Sequence, residues 1–76
     1  MAAAFVLIST DMGSEKNVAQ RLKGIEGVSE VHITYGAYDI IAKVEAETRD
    51  EVKGIVFSKI RMLDEVRSTL TLVMAE

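Results

Sequence analysis

Cysteine, proline and tryptophan are all missing from this 76-residue chain, which holds only two phenylalanines and two tyrosines. Without cysteine there is neither a disulfide framework nor a thiolate metal site, two devices that rescue small folds. A domain of this size buries only about 60% of the surface its unfolded chain exposes. Self-association is therefore the expected extra source of stability. Aromatics make up 5% and hydrophobic residues 49%, so core and interfaces must be built from Val, Ile, Leu, Ala and Met. The methionines, at 1, 12, 62 and 74, share no face and suit gap-filling or interface packing better than metal binding. Side-chain amides are scarce as well, Asn17 and Gln20 alone, as in heat-adapted chains, whereas the lack of proline points the other way.

Positive charge never clusters. Nine Lys and Arg stand against twelve Asp and Glu, a formal charge of −3, and no two bases are adjacent. Direct nucleic-acid binding is not expected, because affinity for phosphate backbones comes mainly from grouped cations. The apolar start from Met1 to Ser9 is far shorter than the ~20 residues of a membrane helix. It has no basic region before it, so a signal peptide is not expected either. The expectation is a soluble cytoplasmic protein with no membrane association.

The residues that are present read as alternating strands and helices. Ala3 to Thr10 is an unbroken run of β-formers, expected to be a central strand buried on both faces. Asp11-Met12-Gly13 turns the chain, Ser14 is placed to cap a helix, and Val18, Ala19 and Leu22 form its apolar face. Gly24 is placed to end that helix in the left-handed conformation, and Gly27 opens a second strand over Val28 to Thr34. In that strand Val31 and Ile33 share one face and Glu30, His32 and Thr34 the other, which suits an edge.

A third strand covers Tyr38 to Glu45. Thr48-Arg49-Asp50-Glu51 then matches a capping box, and Val52, Ile55, Val56, the Lys59 stem and Ile60 follow at helical spacing. Leu63 to Glu65 is the return loop to a fourth strand, Val66 to Met74. The order β-α-β-β-α-β, with right-handed crossovers, predicts an α+β ferredoxin-like sandwich: four antiparallel strands with both helices on one face. Ile41, Val73 and half of the first strand are expected on the uncovered face, where a second subunit would cover them as the sheets pair into a dimeric α+β barrel.

The sharpest chemical signal is the corner Tyr35-Gly36-Ala37-Tyr38-Asp39 between the second and third strands. Its single glycine predicts a tight hairpin turn. Asp39 begins a strand otherwise made of Ile40, Ile41, Ala42 and Val44, and a carboxylate there needs water, a donor or a cation to meet it. Freed amides around Gly36 suit a carboxylate ligand, while Asp39 can pair with an ammonium group, so the two together complement an α-amino acid. The plainer reading is that Gly36 only makes the turn and Asp39 stabilises it.

Val31, Tyr35-Gly36, Tyr38-Asp39-Ile40 and the closing Thr69-Leu70-Thr71-Leu72-Val73 resemble the C-terminal effector domain of the Lrp/AsnC feast/famine regulators, the RAM domain. The resemblance spans nearly the whole chain, 1–76, as one domain. It implies this same fold, dimers paired through their sheets, and rings of dimers, such as octamers, whose clefts bind free amino acids. It also implies that Gly36, Ala37, Tyr38 and Asp39 line the cleft, with Tyr35 where many members carry a threonine. Thr69 and Thr71 match the hydroxyl-bearing strand that contributes from the other side, although alone they read as ordinary sheet residues. No helix-turn-helix domain is present in the sequence, so the expected form is a stand-alone RAM protein. Such a protein would act on transcription by co-assembling with full-length regulators of the family.

Other readings stay in view. His32, the single histidine, has no cysteine and only scattered acids near it in sequence, so a solvated or interface residue is expected rather than a metal ligand. An enzymatic alternative is a dimeric α+β-barrel in which His32 works with Tyr38 or Asp39 as acid and base. A purely structural assembly module is another. Asp11-Met12-Gly13 faintly resembles the ligand loop of ACT domains, which share the element order but have no counterpart of the Gly36 to Asp39 hairpin. A ligand-sensing protein without catalytic residues, metal or cofactor is the preferred expectation.

Overall fold

The computed structural model describes residues 1–75. Strand β1 (Ala2–Thr10), helix α1 (Glu15–Lys23), strands β2 (Val28–Ile33) and β3 (Ile40–Ala46), helix α2 (Arg49–Ile55) and strand β4 (Val66–Val73) follow in sequence. A π-helical turn, Val56–Ile60, extends α2. The four strands form one antiparallel sheet in the order β2-β3-β1-β4. Thus β1 is central, as expected, and both helices cover one face in the ferredoxin-like manner.

The strand period of two decides what lies under the helices. Ala4, Val6 and Ile8 of β1 and Ile40, Ala42 and Val44 of β3 are fully buried, against Val18 and Leu22 from α1 and Val52 and Ile60 from α2. The other side of β1 is only half-buried in the single chain, so the expectation of burial on both faces does not hold here.

Both helices begin where expected, by different means. At α2 the capping box is complete: the Glu51 amide donates to Thr48 Oγ1 and the Thr48 amide to Glu51 Oε1, each at 3.1 Å. At α1 the Ser14 side chain makes no cap; instead Glu15 Oε2 accepts from the Gly13 amide at 3.1 Å. The π-helical turn sets the buried spacing of Val52, Val56 and Ile60 at four residues. Within it the Arg61 amide donates five residues back to the Val56 carbonyl at 2.9 Å. Lys59, expected to bury its stem, stays exposed.

Two further expectations are corrected. Gly24 is right-handed, with φ −87°, whereas Gly27 takes φ +99°. A Cβ on Gly27 would also push against the tip of Ile55, Cδ1 at 2.6 Å, and approach the Glu45 carbonyl oxygen at 3.3 Å, but the backbone conformation is the main demand for glycine there.

The second correction concerns β4. A register shift between Ser9 and Thr10 interrupts its alternation, so Val66 faces the helices while Ser68 faces away. Beyond the shift Thr69, Thr71 and Val73 pair with Ile8, Val6 and Ala4 and therefore lie on the helix side. Val73 does not contribute to the open face; Leu70 and Leu72 do, beside Leu7 and Phe5. Ile41 joins them opposite Leu7, and Glu30, His32 and Lys43 form the polar margin toward β2. Lys43 Nζ lies 5.8 Å from the centre of the Phe5 ring, capping the apolar strip.

Candidate functional site

The corner between β2 and β3 is a six-residue loop, residues 34 to 39, wider than the tight hairpin expected from Gly36, and β3 starts at Ile40 rather than Tyr38. Thr34 closes its neck: the Thr34 amide donates to the Asp39 carbonyl at 2.8 Å and Thr34 Oγ1 to the Tyr38 carbonyl at 3.0 Å. Gly36 takes φ +132°, a conformation that other residues rarely adopt, and a Cβ there would project into open space. Tyr35, Gly36 and Ala37 are exposed. Among the described residues, the amides of Tyr35 through Tyr38 have no protein acceptor. Four successive N–H groups therefore sit at an open corner.

Asp39 is fixed from two directions. Its amide donates to the Ile8 carbonyl at 2.9 Å, and its Oδ2 accepts from the Thr10 amide at 2.8 Å and, at 3.4 Å, from the Thr10 hydroxyl. Thr10 is 5% exposed, so the carboxylate satisfies a buried amide at the end of β1. Asp39 thus has a structural duty, at the end of β1 rather than in the turn where the plainer reading of the sequence put it. Its other oxygen, Oδ1, makes no hydrogen bond to a described residue.

The remaining candidates do not converge on this corner within one chain. Thr69 pairs with Ile8 across from Ile40, which puts it two strand spacings, about 10 Å, from the start of β3. Thr71, two pairs further along, lies beyond that. Both line a groove between β4 and α2. His32 lies on the open sheet face with Nε2 3.2 Å from Glu30 Oε1, and no contact joins it to Tyr38 or Asp39 among the described residues. No group of three or more metal-ligating side chains occurs among the described residues, and no helix there is long and apolar enough to cross a membrane.

What the sequence reasoning missed is on the far side of β4. Lys53, Arg61 and Arg67 gather around Thr69 and Thr71 in that groove, with no acidic side chain among the described residues of its lining. The three bases are spread along the sequence and give no local signal.

A βαββαβ sandwich with an open polar corner defines a class of small ligand-binding modules, and comparison with known proteins narrows it. The sequence model of the Lrp/AsnC ligand binding domain matches residues 3–76. The chain belongs to the Lrp/AsnC ligand-binding domain family. It is 45% identical over 73 residues to an uncharacterized HTH-type transcriptional regulator of Pyrococcus furiosus, an alignment covering 92% of this chain and 49% of that protein. The chain therefore spans about half the length of the curated relatives it matches. Among solved structures, a hypothetical protein from Pyrococcus horikoshii superposes with a TM-score of 0.93 at 34% identity, covering 100% of this chain and 92% of that one. Escherichia coli AsnC superposes with a TM-score of 0.90 at 26% identity, covering 99% of this chain and 51% of that one. The curated relatives are transcriptional regulators rather than enzymes.

Proposed function

We propose that this chain is a sensor module that binds a free amino acid at the β2–β3 corner and passes the binding state to transcription through assembly. The reading is carried by the juxtaposition of the free amides from Tyr35 to Tyr38 with the uncommitted Oδ1 of Asp39. The amides offer donors to an α-carboxylate, and Asp39 offers an acceptor to the α-ammonium. Since Thr69 and Thr71 lie about 10 Å or more away across β1 in the same chain, the hydroxyl contacts come from another subunit. The site is complete only in an oligomer.

Assembly starts at the open sheet face. Phe5, Leu7, Ile41, Leu70 and Leu72 form a strip with polar residues along one margin, and pairing of two such faces covers it in a dimeric α+β barrel. Dimers then meet corner to corner in a ring such as an octamer, where amino acids bind in the clefts, and full-length relatives of the family co-assemble through the same surfaces. Each charge-assisted bond contributes roughly 1.5–3 kcal/mol, which, after the ordering cost, gives affinity around micromolar to millimolar.

The test is calorimetric titration with the common amino acids at millimolar concentration, alongside solution mass by light scattering. A saturable response to particular amino acids that disappears in Asp39→Asn, with the mass of the dimer unchanged, supports the reading. An Asp39→Asn protein that binds as well as the wild type overturns it.

A further inference from the structure

The groove between α2 and β4 has a volume of about 680 Å³, a size suited to a small organic molecule. Its polar lining is one-sided: Lys53 from α2, Arg61 beyond the π-helical turn and Arg67 on β4 supply positive charge, and Thr69 and Thr71 supply hydroxyls. Among the described residues no carboxylate lines it, in a chain whose net charge is −3. None of the three bases forms an ion pair with a described residue, whereas Arg21, His32 and Lys43 elsewhere are each within 4.0 Å of a glutamate.

The groove is also partly organised in advance. The Arg61 guanidinium lies 5.3 Å from the centre of the Phe57 ring, which limits its freedom; the π-helical turn carries Phe57 and is capped at its end by Arg61. Such turns recur at functional sites. Val56, Val66 and Val73 give the groove an apolar floor.

We propose that this groove binds a small organic anion bearing two or more carboxylate or phosphate groups on a compact carbon body. The arginines hold the charged groups in forked hydrogen bonds, Lys53 adds a mobile charge, and the Thr69 and Thr71 hydroxyls donate to the remaining oxygens. The body of the ligand rests on the valines. Thr69 and Thr71 are the only residues shared with the corner site, which recognises a zwitterion with a single carboxylate. The groove recognises net negative charge.

The test uses citrate as the probe, measured by calorimetry and thermal shift against sodium chloride at matched ionic strength. Citrate is expected to bind the wild-type protein saturably, and the double variant Arg61→Gln/Arg67→Gln to lose at least tenfold in affinity while keeping its circular dichroism spectrum. The control double variant Lys16→Gln/Lys23→Gln, on the exposed side of α1, should remain within twofold of wild type. The proposal is overturned if citrate acts no differently from sodium chloride, or if both double variants weaken it equally. It is also overturned if a hexaglutamate peptide binds where citrate does not, since that would make the groove a protein-docking surface. The corner is tested by amino acids on Asp39→Asn and the groove by citrate on the arginines, so either reading can fail while the other stands.

Discussion

Removing the Asp39 carboxylate should unfold the end of β1 as well as empty the proposed ligand site, and the two effects can be separated. In Asp39→Ala the Thr10 amide loses its acceptor at 2.8 Å in a position that is 5% exposed. A hydrogen bond to a charged group contributes about 1.5–3 kcal/mol net, and an orphaned buried amide costs a similar amount. The bond from the Thr10 hydroxyl, at 3.4 Å, is too long to add much. A loss of about 2 kcal/mol is expected, which lowers the melting temperature of a domain this small by about 8–16 °C. In Asp39→Asn the side-chain carbonyl can still accept from Thr10, so the loss falls to about 1 kcal/mol or less. Urea denaturation of the three proteins at one protein concentration measures both differences, the fixed concentration removing the contribution of assembly. If Asp39→Ala lies within about 0.5 kcal/mol of wild type, the range of ordinary surface substitutions, the structural duty assigned to Asp39 is wrong. The Asn variant is consequently the one in which lost amino-acid binding reports on recognition.

Other substitutions probe different parts of the fold. Gly27→Ala combines left-handed backbone with a contact of 2.6 Å to Ile55 and should cost about 2–3 kcal/mol. Gly36→Ala, with φ +132° but open space around it, should cost about 1–2 kcal/mol from backbone strain alone; equal losses in chemical denaturation would contradict the role given to Ile55. Thr48→Ala breaks the capping box and should lower stability by about 1 kcal/mol in the same assay. Leu72→Glu places a charge on the open sheet face, and under the proposed assembly light scattering should give a lower mass than for the wild type; an unchanged mass would remove that face from the interface. Ile8→Ala, at a fully buried position between β3 and β4, should cost about 2–5 kcal/mol, and a smaller loss would mean that the core collapses around the cavity.

How far the sequence could be read depends on how local each cause is. The Val18, Ala19 and Leu22 stripe and the Thr48–Glu51 box act within one or two turns of helix, so they are visible in the sequence and present in the fold. Gly24 and Gly27 look equally suited to φ > 0. In the fold they differ in surroundings as well as in φ: Gly27 lies against Ile55, 28 residues on and brought there only by the folding of α2 onto the sheet. Likewise, the alternation of β4 shows two faces without saying which one meets the helices, and the register shift at Ser9 and Thr10 breaks the count between Val66 and Ser68. The expectation of Val73 on the open face fails for that reason. At the candidate site, Gly36 and Asp39 are conspicuous for their local chemistry. The partner of Asp39, Thr10, is 29 residues away, and nothing in a strand-ending threonine announces it.

The two edges of the sheet are not equivalent. Along β2 a register shift at Ser29 and the charged side chain of Glu30 interrupt the border, whereas β4 carries no charged residue from Ser68 to Val73. A sheet receptive on both sides can add copies without limit, as in a fibril. A sheet receptive on one side only has no free border left once two copies have met there. Pairing along β4 would therefore end in closed pairs, the interrupted β2 edge acting as a terminator against extension of the sheet.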